Sequence, residues 1–199
     1  MPNTPSTRSA LLFDGHDPPV EVAATVIRDM PWARLEEIES IWKPSREQFG
    51  QAFFHQTGRV SEHGHWDWRN KVRLEESGRY RLVAIECRGE VQGLMTVSAQ
   101  PRPAAAINAD KAPLLYVDFL ENAPWNLKGT ATPRRFRGVG VALITEAVEI
   151  SKDAGWSGRI GLHSLPQAEW FYKKECKMTP IDNPDSSYPE LVYYEYTVE

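Results

Sequence analysis

The stretch Arg134-Arg135-Phe136-Arg137-Gly138-Val139-Gly140-Val141-Ala142-Leu143 constrains this chain more than any other. Two glycines flank a valine, and an apolar pattern of helical period follows at once. Val141, Ile144, Ala147, Val148 and Ser151 share one stripe, while Glu146, Glu149 and Lys152 are polar. The pattern predicts a glycine turn feeding a helix N-terminus. Such a turn leaves backbone N–H groups unpaired and aimed at one point, where the helix dipole adds partial positive charge. A ligand can come against glycine backbone because no Cβ intervenes. With Arg135 and Arg137 beside it, the turn suits a pyrophosphate; the bland alternative is an ordinary helix start with a solvated basic flank.

Two common phosphate loops are excluded. The nucleotide P-loop needs Gly-x-x-x-x-Gly-Lys-Ser/Thr, and no such run occurs. The dinucleotide fingerprint needs a third glycine where this chain has Leu143. What remains is Arg135-x-x-Gly138-x-Gly140, and the order of elements around it has to decide.

A chain of 199 residues is long enough for one domain with a proper core, here expected over 11–199, with 1–10 as a loosely ordered N-terminus. A net charge of −4 argues against a dedicated nucleic-acid binder. No apolar run approaches a membrane span, and the polar first ten residues do not read as a signal peptide. Cys87 and Cys176 are too few for a disulfide framework, so a cytoplasmic location is the default.

Along the chain, Val20 to Ile27 alternates as a strand, and Pro31 opens a helix carrying Leu35, Ile38, Ile41 and Trp42. Pro44 is expected to interrupt that helix, with Ser45 capping another near Arg46. Phe49, Phe53, Phe54, Trp66 and Trp68 read as core, or as walls of a pocket. His63-Gly64-His65 with His55 upstream lacks the further ligands a metal site needs, so no metal is expected. Residues 80–100 form a hairpin turning at Arg88-Gly89-Glu90, and 101–112 are loop. Leu114 to Glu121 is apolar on both faces and so a central strand. Residues 122–133 are irregular; the glycine-led helix then runs to Ala154-Gly155, followed by a strand at Arg159–His163. A short helix from Pro166 carries Ala168, Trp170, Phe171 and Tyr172, and Leu191 to Val198 closes the chain as a strand. The alternation predicts mixed α/β architecture with a central sheet.

From about Val20 to Glu199, this order resembles the GNAT superfamily of N-acetyltransferases. The resemblance is carried by the hairpin, the strand at Leu114–Glu121, the Arg135/Gly138/Gly140 loop and the Ala168-x-x-x-Tyr172 helix. It implies a central, splayed mixed sheet flanked by helices, acetyl-CoA as co-substrate, and a primary amine acceptor attacked directly. It further implies that the strand end at Leu120, Glu121 and Asn122 pairs with the pantetheine arm and offers an N–H to the oxyanion. The pyrophosphate would rest on the N–H groups of Arg137, Gly138, Val139, Gly140, Val141 and Ala142, with charge from Arg135 and Arg137. Tyr172 stands where many members place the tyrosine that protonates the departing thiolate. The asparagine usual on that segment falls at Leu165, with Ser164 or Gln167 as substitutes, and Glu175-Cys176-Lys177-Met178 lacks a glycine common there. Members are often dimers.

An alkylammonium needs a base before it can attack, and Asp118 or Glu121 could serve; either could instead be a structural hydrogen-bond partner. Cys176 has no histidine near it in sequence to make it a nucleophile. Asp67, Glu75 and Glu76 lean toward a cationic acceptor, whether small molecule or peptide. A silent coenzyme A-binding module and a transferase of a larger acyl group are the alternatives.

Overall fold

A computed structural model of the chain describes residues 4–71, 73, 78–105, 110–182, 184–185 and 187–196. Its strands are β1 (Ser6–Asp14), β2 (Glu21–Arg28), β3 (Tyr80–Cys87), β4 (Glu90–Ser98), β5 (Arg102–Pro103), β6 (Pro113–Asn122), β7 (Phe136–Arg137), β8 (Ile160–Ser164), β9 (Thr179–Ile181) and β10 (Val192–Tyr196). Helix α1 spans Arg34–Thr57 and α2 spans Val139–Asp153. The ten strands form one mixed sheet in the order β7-β1-β2-β3-β4-β6-β8-β10-β9, with β5 paired to β6. The chain divides into two compact units: Met1–Met95 with Leu120–Leu143, and Thr96–Phe119 with Ile144–Glu199.

In the first unit, β1 pairs antiparallel with β2 from Ser6↔Arg28 to Phe13↔Glu21. Residues 6–10 are thus strand rather than loosely held terminus. Their side chains are mostly exposed, so no apolar alternation announces them; the backbone ladder to β2 orders them. β7 adds to the same edge through Phe13↔Arg137. The β3–β4 hairpin turns at Arg88 and Gly89, both at positive φ, as the favoured two-residue turn requires.

Helix α1 continues past Pro44 without interruption, against expectation. Proline removes the N–H that would bond the Ser40 carbonyl, but both residues lie on the exposed face, where water can take that carbonyl. Meanwhile Leu35, Ile38, Glu39, Trp42 and Arg46 bury one stripe on both sides of the proline. Ile41, assigned to the apolar stripe by its spacing, is largely exposed.

In the second unit, β6 runs parallel to β8 over Leu115↔Ile160, Tyr116↔Gly161 and Val117↔Leu162. Parallel neighbours need a crossover, and α2 lies between them in sequence. Its C-terminus closes as foreseen: Gly155 is at φ +79°, with Gly155 N–H on the Lys152 carbonyl and Trp156 N–H on the Ser151 carbonyl. The buried face is wider than the expected one. Ile144, Ala147 and Ser151 of the expected stripe are buried, and so are Val139, Leu143, Glu146 and Ile150, so Glu146 faces inward rather than to solvent. β10 pairs antiparallel with β8, and β9, unforeseen, pairs with β10.

Candidate active site

Gly138, at φ +86°, is the last residue before α2, and the Ala142 N–H donates to its carbonyl at 2.9 Å. That bond removes Ala142 from the expected anion cradle, because its N–H is already the first rung of the helix. The N–H groups of Gly138, Val139, Gly140 and Val141 precede that rung and carry the orphan donors of a helix start. Arg135 and Arg137 are split. Arg135 Nη1 donates to Glu90 Oε2 at 3.2 Å, and its guanidinium stacks 4.7 Å from the Trp125 ring centre. Arg137 is half-buried and pairs with no carboxylate among the described residues. Beside Arg135 opens a cavity of about 390 Å³ whose walls include Arg88, Arg134, His16, Asp14 and Glu90.

The loop is held by residues the sequence reading passed over. Gln92, fully buried on β4, accepts through Oε1 from Asn126 Nδ2 at 3.0 Å and from Trp125 Nε1 at 2.8 Å. Asn126 Oδ1 in turn accepts the Phe136 N–H at 2.8 Å. Gly93 is what lets α2 start where it does: a Cβ there would stand 2.6 Å from Val139 Cγ1. The Pro124-Trp125-Asn126 run was a signal only of a turn, and its polar network needs the fold to be visible.

The end of β6 runs beyond its ladder with β8, since the paired residues stop at Val117. Leu120 and Asn122 are half-buried there, and Asn122 Oδ1 is buried without a hydrogen-bond partner. Glu121 is not left available as a base. Its carboxylate accepts Arg46 Nε at 2.9 Å and Trp68 Nε1 at 2.5 Å, and is 1% exposed. Arg46 also donates to Glu39 Oε1 at 2.6 Å and to the Trp66 carbonyl at 2.8 Å. Burial pushes the Glu121 carboxyl up, and Arg46 opposes that rise. The two carboxylates, paired and hydrogen-bonded, hold Arg46 charged in turn. Glu121 therefore has a structural role, tying the strand end to α1.

Asp118 is different. Ser98 Oγ donates to its Oδ2 at 3.0 Å and Arg102 Nη2 lies 3.3 Å from Oδ1. Burial pushes its carboxyl up to about 6, against the lowering pull of Ser98 and Arg102. A carboxylate there is ionised at neutral pH yet basic enough to take a proton. Arg102 also stacks 3.4 Å over the Tyr116 ring, whose hydroxyl meets His163 Nδ1 at 2.5 Å.

Tyr172 lies in a π-helical turn, Phe171–Glu175, closed by the Cys176 N–H on the Phe171 carbonyl, at the end of the short helix expected from Pro166. It is 7% exposed, and burial pushes its phenol up, so it keeps its proton through the neutral range. Burial also raises the Cys176 thiol to about 12, which leaves it a thiol rather than a nucleophilic thiolate. Ser164 Oγ donates to the Leu165 carbonyl at 2.9 Å, so its hydrogen is already used locally. Asp67 is clamped by Arg69 Nε at 2.9 Å and does not offer a free charge to a cation; Glu75 and Glu76 lie outside the described residues. The aromatic residues separate by burial: Trp68 is core, Phe49 and Phe53 stack at 5.7 Å, and Phe54 is largely exposed. Burial, then Arg46 and His65, lower His63 to about 4, and no group of three metal-ligating side chains occurs among the described residues.

No protein-family profile matches the chain, and no curated protein does. Solved structures do. The PaiA N-acetyltransferase of Thermoplasma acidophilum, in complex with coenzyme A, superimposes with a TM-score of 0.53 at 15% identity, over 88% of this chain and 99% of that one. The GNAT domain of S. lividans PAT gives 0.53 at 14% identity, over 96% of both chains. An acetyl transferase of Salmonella typhimurium, which modifies the N-terminal serine of ribosomal protein L7/L12, gives 0.53 at 10% identity, over 88% and 95%. This chain has the fold of the GNAT-family acetyltransferases.

Proposed function

We propose that this chain moves an acetyl group from acetyl-CoA to a primary amine by direct attack. The observation that carries the reading is the Gly138 turn, which presents the N–H groups of Gly138 to Val141 at the start of α2 beside Arg137. A diphosphate is the ligand such a start favours. Beyond Val117 the end of β6 at Leu120–Asn122 is not paired to β8, and an amide-bearing pantetheine arm is suited to pair with that edge. An N–H on that edge would stabilise the tetrahedral oxyanion.

Asp118 takes the proton from the ammonium, directly or through water, and frees the attacking lone pair. The amine nitrogen bonds the carbonyl carbon, the C–S bond breaks, and Tyr172 donates to the departing thiolate. The acceptor class stays at a primary amine; one neighbour in fold acts on a protein N-terminus, which keeps peptide amines beside small ones.

The test is thermal unfolding with acetyl-CoA, coenzyme A and ATP, on the natural chain and on Gly140→Glu. Acetyl-CoA at a hundred times its Kd should stabilise by about 2.7 kcal/mol, and the substitution should abolish the shift. An equal shift by ATP, or none by acetyl-CoA, sinks the reading. Binding without thiol release across a broad amine panel would instead favour a silent module. Tyr172→Phe should lower kcat by roughly 100-fold or more and leave KM nearly unchanged.

A further inference from the structure

Lys71 ends the 3-10 turn Trp68–Lys71, and its ammonium sits 4.8 Å from the Trp66 ring centre and 5.5 Å from that of Trp68. Two indoles facing one nitrogen are the chemistry that recognises an alkylammonium. The same Trp68 donates its indole N–H to Glu121, which stands between Leu120 and Asn122. One ring thus links the lysine nitrogen to the strand end at which the thioester is proposed to bind. We propose that Lys71 is acetylated by the active site of its own chain. The inference rests on the acetyl-transfer reading above.

The chemistry balances without a further reagent. The neutral Nζ bonds the thioester carbonyl carbon, the C–S bond breaks, and the electron pair leaves with sulfur. The proton lost from nitrogen ends on that thiolate, giving ε-N-acetyl-lysine and coenzyme A. Burial supports the step: it lowers the Lys71 ammonium to about 8, with Arg73 and Arg46 acting in the same direction and Glu121 and Glu39 against it. Neutral amine is therefore far more abundant at Lys71 than at an exposed lysine near 10.4. Lys43 and Lys173, both exposed, are the internal comparison.

The full chain is incubated with acetyl-CoA and the acetyl mass is located by peptide mass spectrometry, at several protein concentrations. Lys71 should be modified on the order of 10-fold or more faster than Lys43 and Lys173. The rate per chain should not depend on protein concentration. Excess coenzyme A should suppress the modification in the natural chain, and Gly140→Glu should do so independently. Equal labelling of the three lysines overturns the proposal. So does labelling that survives both coenzyme A and Gly140→Glu, which is simple chemical acetylation, or a rate that grows with protein concentration. If added amines turn over while Lys71 stays unmodified, the inference falls and the transferase reading stands. If acetyl-CoA neither stabilises the chain nor is consumed, both fall.

Discussion

Asp118 and Glu121 stand on the same strand, one in each compact unit, and their neighbours engage them to different extents. Glu121 is enclosed by Arg46 and Trp68, and Arg46 is itself shared with Glu39. Asp118 has a hydroxyl and one partly exposed arginine. The comparison teaches how a strand supplies two carboxylates for two purposes. Burial raises the carboxyl of both; at Glu121 Arg46 and Trp68 oppose that rise and tie the strand end to α1. Asp118, less deeply buried and with fewer donors, is raised to about 6, where protons are exchanged near neutral pH.

The largest expected effect is at the anchored end. Arg46→Ala leaves Glu39 and Glu121 buried without their cation and should cost about 3–5 kcal/mol, read as a lower urea midpoint. A loss under about 1 kcal/mol would mean that the network is not what holds the strand end.

Asp118→Asn should do the reverse. It should lower kcat/KM by roughly 100-fold or more while the fold survives. In the natural chain the rate should rise with pH through about 6 and then level off, because the base must be unprotonated. The sign for stability is opposite. With the folded carboxyl near 6 and the unfolded one near 3.9, the folded state holds the proton more tightly, so Asp118 costs stability as pH rises through that window. The asparagine variant should lack that loss, which a Tm series from pH 4 to 7 measures. A variant that keeps full activity and the same pH profile removes Asp118 from the mechanism.

Ser98→Ala is the smallest and most discriminating change. The lost hydrogen bond lowered the Asp118 carboxyl, so the activity midpoint should move up in pH, with stability falling by about 1 kcal/mol. A midpoint that stays put would separate Asp118 from the pH dependence.

The glycine loop and the strand carrying both carboxylates were legible because each has a local cause. Gly138 is needed at positive φ, and Leu114 to Val117 is uniformly apolar because both faces of β6 are covered there. The Arg88-Gly89 turn was legible for the same reason. Pro44 misled because propensity speaks of one residue, whereas the buried stripe from Leu35 to Arg46 holds the helix on both sides of it. Residues 6–10 misled because a ladder to β2 leaves no mark on side-chain patterning.

What the sequence by itself determined is the order of elements, the helix start at Gly138 and the residue types available for chemistry, since these follow from backbone conformation and periodicity. Only the tertiary structure decided what each polar group does. Arg46 lies 75 residues from Glu121, and Gln92 lies 34 from Asn126. A charge acquires its role from the donors, acceptors and burial that surround it, and those are brought together by folding rather than by neighbourhood along the chain.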